Sequence, residues 1–438
     1  MKARLAGFLL TISAMLLGAA PVQAALHIDI TSGNIQPVPI AINDLIAADP
    51  SAAQVGREIS DVVAADLERS GLFRPIDKGA FIERISSGNA IPHFPDWRQI
   101  NAQGLVTGTI TMTSDGRMRV GFRLWDVLGE TQIAGKEFNS VSTNWRRIAH
   151  LVADEIYKRI TGEQGYFDSR IVYVAESGSF RRRVKRLAIM DQDSANHKFL
   201  TDGSQLVLTP RFSPNTQEIL YMSYAGRQPR VYLRDLQTGQ EESLGHFEGM
   251  SFAPQFANDG HHVIMSIAHG GSTQIYTMDL RNRHLHKLTD TGNAINTSPS
   301  YSPDGSKIVF NSDRGGSQQL YTMNADGSNV TRISFGDGRY GTPVWSPRGD
   351  KIAFTKMAGG EFYIGVMNVD GSGERELDHS YFEEGPTWSP NGRVIMFYRQ
   401  SRGHHTRLYS VDLTGRNVRE VPTPLDASDP AWSPRLSK

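Results

Sequence analysis

Cysteine is absent from the 438-residue chain. No disulfide can staple the fold, no thiolate can act as a nucleophile, and no cysteine metal site is possible. Neither charge is in excess, since Lys+Arg and Asp+Glu are both 46; a general nucleic-acid binder normally carries a basic surplus. Beyond residue 20 no apolar run approaches the roughly 20 residues that a membrane span needs. A Gly-x-Ser-x-Gly elbow is missing, as is sequence for an α/β-hydrolase partner domain. No His-Glu-x-x-His stretch occurs.

What the chain does have begins with an export pattern. Lys2 and Arg4 form a short basic region, residues 8–20 are apolar, and Val22-Gln23-Ala24 offers a small-x-small cleavage site. Residues 1–24 therefore read as a signal peptide cleaved after Ala24. A retained anchor is the competing reading, and the run is short for it. The length is too great for one ordinary core and makes two or more domains the expectation.

Residues 25–165 read as an N-terminal α/β domain. Leu26, Ile28 and Ile30 alternate with His27 and Asp29, a strand pattern at the mature amino end. Residues 38–42 read as a second strand. Val55, Ile59, Val62, Val63 and Leu67 fall on one helical stripe that Gly71 ends. Three alternating segments follow at 105–113, 118–127 and 131–138. A helix over 145–160 carries Ile148, Leu151, Val152 and Ile156 on its apolar face and stops at Gly162.

From residue 170 to 438 the chain repeats itself. Residues 342–349 read TPVWSPRG, and the core of this stretch recurs six times. Its prolines, Pro210, Pro254, Pro299, Pro343, Pro386 and Pro430, are 44, 45, 44, 43 and 44 residues apart. The aromatics two residues later are Phe212, Phe256, Tyr301, Trp345, Trp388 and Trp432. A period of this length carried by strand residues marks propeller blades of four strands. Residues 171–174 look like a second strand with no inner strand before them, while residues 429–434 are an inner strand with nothing after it. Pairing the two closes the ring and hides its edges. The fold class is therefore α+β: an α/β domain, then a six-bladed all-β propeller closed by its N- and C-terminal strands. The N-terminal domain should sit on the face of the Ser-Pro-x-Gly turns, leaving the opposite face open.

Candidate chemistry is sparse. The pairs His261-His262 and His404-His405 would point to opposite sides of a strand and cannot grip one metal together; surface histidines are the plainer reading. Asp304, Asp326 and Asp370 resemble calcium loops only faintly, and turn formation is the better explanation, since Asp and Gly favour such turns anyway. Arg181, Arg182 and Arg183 form a hairpin tip that is either solvated or a patch for an acidic partner. No catalytic or metal-binding residue and no cofactor is expected. The stretches before the repeat prolines carry large apolar groups at a channel mouth, which suits protein recognition; packing between loops is the alternative. This face offers Met250, Ser251, Phe252, Ala253, Asn296, Thr297, Arg339, Tyr340, Thr342, Glu383, Glu384 and Ser428.

A signal peptide, the junction RRIAHLVADEIYKRITGEQGYFDSRIVYV at residues 146–174, the LERSGLF stretch at 67–73 and six such repeats resemble the TolB family of the Tol–Pal system. The resemblance implies a non-enzymatic periplasmic adaptor, with roles in outer-membrane constriction at division and in envelope integrity. It implies two partners, the lipoprotein Pal and the inner-membrane protein TolA. Pal would dock on the loops before the repeat prolines, which carries by position to Ala253 and Thr297; Met250 stands where some relatives have histidine. The tail Ala25, Leu26, His27, Ile28, Asp29 and Ile30 would engage TolA. A monomer with no nucleic acid and no membrane insertion is expected. The other reading is an exported propeller hydrolase or lyase acting on envelope carbohydrate, which calls for ionisable side chains converging inside the ring.

Overall fold

The computed structural model describes residues 26–28, 36–47, 50–225, 228–245 and 247–436. The expected signal peptide, and Ala25, Asp29 and Ile30 of the tail, lie outside the described residues.

The amino-terminal region is a mixed sheet backed by helices. Its strands are β1 (Val38–Ile42), β2 (Ile46–Ala47), β3 (Phe73–Pro75), β4 (Gly104–Met112), β5 (Arg117–Asp126) and β6 (Thr131–Val141), ordered β3-β1-β4-β5-β6 with β2 beside β4. β1 runs parallel to β3 and β4, whereas β4, β5 and β6 form an antiparallel meander. Helices α1 (Pro50–Arg69), α2 (Phe94–Gln99) and α3 (Trp145–Thr161) complete it. The apolar stripe of α1 is buried through Ile59, Val62, Val63 and Leu67. α3 ends where Gly162 turns left-handed, at φ 76°, and returns its N–H to the Lys158 carbonyl, a conformation that glycine adopts without a Cβ penalty.

The repeats fold as six four-stranded antiparallel sheets. Five begin with the inner strands Val207–Phe212, Met250–Phe256, Asn296–Tyr301, Arg339–Trp345 and Glu383–Trp388. In the sixth, the last strand, Asp426–Trp432, pairs with Arg170–Ser177, followed by Val184–Asp191 and Lys198–Phe199. The expected closure is therefore the observed one. Second strands such as Lys307–Ser312 bury Ile308, Val309 and Phe310 completely, and sheets covered on both faces read as unbroken apolar runs for this reason. The repeat aromatics fill the joints between blades: the Trp388 indole donates to the Val344 carbonyl of the preceding sheet at 3.0 Å.

One apolar cluster joins the two regions. It runs from Ile59 and Leu67 of α1 and Ile156 of α3 to Tyr173, Met190 and Trp432 of the closing blade. The linker is tied down as well. Asn391 donates to the Gln164 carbonyl at 3.0 Å, and Glu163 takes Arg348 and Arg393 from two blade turns. These are the Ser-Pro-x-Gly turns, so the N-terminal domain lies at that end of the ring.

Candidate partner-binding face

The other end of the ring is built from the starts of inner strands, the hairpins between second and third strands, and the ends of outer strands. The segments before the repeat prolines are strand there, not loop. Each carries a bulge: register shifts fall within every inner strand, between Leu208 and Arg211, Phe252 and Gln255, Thr297 and Ser300, Gly341 and Val344, Glu384 and Thr387, and Ser428 and Ala431. The residue before each proline takes positive φ: Thr209, Ala253, Ser298, Thr342, Gly385 and Asp429. Five of these six are not glycine, so strain is repeated around the channel rather than confined to one site. Composition carried no signal for this, because a residue before proline is biased towards extended backbone.

The bulge decides which predicted residues face outward. Ser251, Asn296, Tyr340, Glu383 and Ser428 are buried, which corrects the expectation of exposed tip residues. Ser251 Oγ accepts the Val231 N–H at 3.2 Å, Asn296 Nδ2 donates to the Thr273 carbonyl at 3.1 Å, and Glu383 Oε1 accepts the Ile364 N–H at 3.1 Å. These three occupy the position three residues before the proline and bond back to the third strand of the preceding blade. Tyr340, 1% exposed, instead donates to Glu374 at 2.8 Å, and Ser428 donates to Glu176 at 2.6 Å. Phe252, Ala253, Thr297, Thr342 and Glu384 are half-buried, and Arg339 is exposed. Met250 is the exposed apolar residue of the predicted set, at 43%.

Sequence reasoning missed most of the apolar rim. Phe180, Leu206, Tyr224, Ile295, Phe335 and Tyr381 are exposed at this end, with Phe335 at 72% and Phe180 at 60%. All sit in connections between strands, where no periodicity marks them. Their one available signal was size, since large apolar groups are uncommon in turns. Phe180 stacks on His404 with centroids 4.0 Å apart, and Arg332 lies over Phe335. Of the basic hairpin, Arg181 and Arg182 are exposed, while Arg183 pairs with Glu176 and Asp426 at 2.8 and 3.0 Å.

Inside the mouth is a chamber of about 480 Å³ lined by Glu176, Arg183, Lys185, Glu384, Tyr398 and Asp429, among others. Ionisable side chains thus do converge in the ring, where the adaptor reading expected none. Ring closure puts Glu176 of a second strand beside Ser428 of the last one. The groups answer one another: Lys185 reaches Glu176 at 2.8 Å, and the Tyr398 hydroxyl donates to Glu384 at 3.3 Å. Burial, then the charge of Asp429, raises the Glu384 carboxyl above its ordinary range.

The described part of the tail is docked, and it is not in a strand. Leu26 donates its N–H to Asp126 Oδ2 at 2.9 Å, and Ile28 donates to the Ile160 carbonyl at 2.9 Å. Ile28 is buried and His27 exposed, so the alternation is real although no sheet receives it. The acidic turn residues Asp304, Asp326 and Asp370 accept the N–H groups of Ser306, Ser328 and Ser372 at 3.0, 2.9 and 2.9 Å, as turn formers do.

A buried charge network also went unread, because its members are far apart in sequence. Asp66 of α1 faces His150 of α3 at 2.6 Å and also accepts from Arg69 at 2.7 Å and from Gln192 of the closing blade at 2.8 Å. Arg146 of α3 pairs with Asp193. Ligand atoms of Asp66, His150 and Asp193 lie within 4.8 Å of one another, the one grouping among the described residues with the spacing to hold a metal. Burial opposes charge on His150, yet the charge and hydrogen bond of Asp66 outweigh it and push the imidazole up to about 9.

Family models match over nearly this whole architecture: the TolB amino-terminal domain over residues 26–133 and the TolB beta propeller domain over 157–436. The chain belongs to the TolB family. Among solved structures it is similar to TolB from Acinetobacter baumannii, at 28% identity and a TM-score of 0.82, over 93% of this chain and 100% of that one. It is also similar to a putative TolB from Agrobacterium tumefaciens, at 20% identity and a TM-score of 0.48, over 60% and 90%. Membership in the TolB family carries a role in the Tol–Pal system. No helix among the described residues is long and apolar enough to cross a membrane.

Proposed function

We propose that this chain is a non-enzymatic periplasmic adaptor, exported by residues 1–24, with an α/β domain over 25–165 and a propeller over 170–438. The open end of the propeller binds the lipoprotein Pal, and the N-terminal region binds TolA. The complex supports outer-membrane invagination at division and the integrity of the envelope. The observation that carries this reading is the distribution of exposed apolar side chains. On the described propeller, Phe180, Leu206, Tyr224, Met250, Ile295, Phe335 and Tyr381 gather at one end, and only Phe199, Val330 and Val418 lie elsewhere. An apolar patch with a polar rim is the usual form of a protein-binding site.

The test is co-purification of the tagged mature chain from envelope extract. Recovery of a peptidoglycan-bound lipoprotein supports the adaptor. A folded chain that retains no lipoprotein, and whose open-end variants behave like wild type, refutes it. The ionisable chamber favours the second reading, an exported enzyme on envelope carbohydrate. That reading requires turnover of an envelope glycan that is abolished by Glu384→Gln.

A further inference from the structure

We propose that the channel holds a second binding site, at the end facing the N-terminal domain, for a small molecule with a carboxylate on an apolar body. The chamber there has a volume of about 510 Å³, within the roughly 300–1,000 Å³ range of ligand pockets. Its walls are the six repeat aromatics, Phe212, Phe256, Tyr301, Trp345, Trp388 and Trp432, together with prolines of the Ser-Pro-x-Gly turns. Rings of this kind favour a flat apolar ligand.

The charge of the chamber is one-sided. Arg211 and Arg435 line it, and no aspartate, glutamate, lysine or histidine does. Arg435 is partly answered: Nη1 donates to Gln164 Oε1 at 3.0 Å, and Nη2 lies 3.5 Å from Asp154, while Nε is buried without a partner. Arg211 is answered only at longer range. Its guanidinium donates to the Pro210 carbonyl at 2.7 Å, and the charge of Asp429 acts on it from beyond the 4.0 Å of an ion pair. Arg211 also lines the mouth chamber, so it stands at the waist between the two.

A guanidinium held in a largely apolar channel with no ion pair is costly; the longer-range charge of Asp429 offsets part of that cost, and an incoming anion in contact offsets more. Arginine suits this role, because its planar fork meets a carboxylate with two parallel hydrogen bonds. One cation lacking an ion pair matches a monoanion better than a phosphate, which would call for further donors. The ligand would therefore set its carboxylate at Arg211 and its apolar body among the tryptophans. The site shares Arg211 with the mouth chamber but has its aromatic walls at the other end, and it stands or falls independently of the partners proposed above.

Calorimetric titration of the mature chain with 1-naphthoate, and with its uncharged analogue 1-naphthalenemethanol, tests the proposal. Saturable binding of one naphthoate per chain is expected, about tenfold or more tighter than the alcohol, as a charge-assisted bond implies. Arg211→Met should remove that preference, and Arg211→Lys should retain part of it. Gln255, which lines this chamber and not the mouth, offers a second handle. Gln255→Trp should block both probes. Equal affinities in the wild-type chain, no saturable binding of either probe, or an undiminished preference in folded Arg211→Met would each overturn the site. The wild-type comparison decides even if the variants fail to fold.

Discussion

Trp432 lies directly opposite Ile171 in the closing sheet, and its indole donates to Ser169 Oγ at 2.9 Å. One side chain thus joins the last strand to the linker and to the first blade strand. It also meets the Tyr166 ring at 5.7 Å. Trp432→Ala should cost about 3–5 kcal/mol, as for other buried large-to-small changes. Urea unfolding measures it; a loss below about 1 kcal/mol would mean that the ring closes without this residue.

The His150–Asp66 pair gives stability a pH signature. The folded imidazole titrates at about 9 against 6.5 for the free group, so its contribution is complete below pH 6.5 and lost as pH rises through 9. Asp66 is held below 3.8, first against burial and then by His150, so its share is lost only as pH falls through the acid range. His150→Gln should therefore destabilise the chain near about pH 6 and much less at about pH 9. A gap between wild type and variant that stays constant with pH would exclude a charged histidine.

The repeated bulge invites a stabilising change. Ala253 sits at φ 47°, whereas the equivalent position in the fifth complete blade is Gly385 at φ 70°. Left-handed backbone costs a residue with a Cβ roughly 1–2 kcal/mol, and glycine's greater unfolded entropy returns part of that. Ala253→Gly should raise stability by about 0.5–1 kcal/mol at unchanged m-value. Destabilisation would show that the Cβ of Ala253 contributes more than the strain it brings.

Phe335 is mostly exposed and contributes little to folding, so Phe335→Ala should leave the unfolding midpoint unchanged. If the open end holds Pal, the same change weakens binding about tenfold, the scale of the minority of interface residues whose truncation costs more than about 1 kcal/mol. Phe252→Ala and Thr297→Arg should weaken it too. Full-strength pull-down by all three variants would remove this end from consideration.

Deleting residues 25–33 removes the Ile28 N–H bond to Ile160 and the packing of Leu26. A small loss of stability with an intact fold is expected, together with weaker TolA binding. Unchanged TolA affinity in the folded truncation would reject the tail assignment.

Local chemistry and spacing were enough to read the propeller. Proline and glycine fix the turns, second strands are apolar throughout, and Trp432 had no blade to belong to unless the ring closed on Ile171. The α1 and α3 stripes and their glycine stops were equally legible, since each lies within a few residues of chain. What only the tertiary structure decided is which side chains face out. Tyr340 and Glu383 turn inward because the bulge before the proline re-aims the strand, and Phe335 turns outward with the Arg332 guanidinium over its ring. The Asp66–His150–Gln192 network and Arg211, held in the channel with no ion pair, are of the same kind. They depend on distances between groups brought together by folding, and the order of residues along a chain carries no such distance.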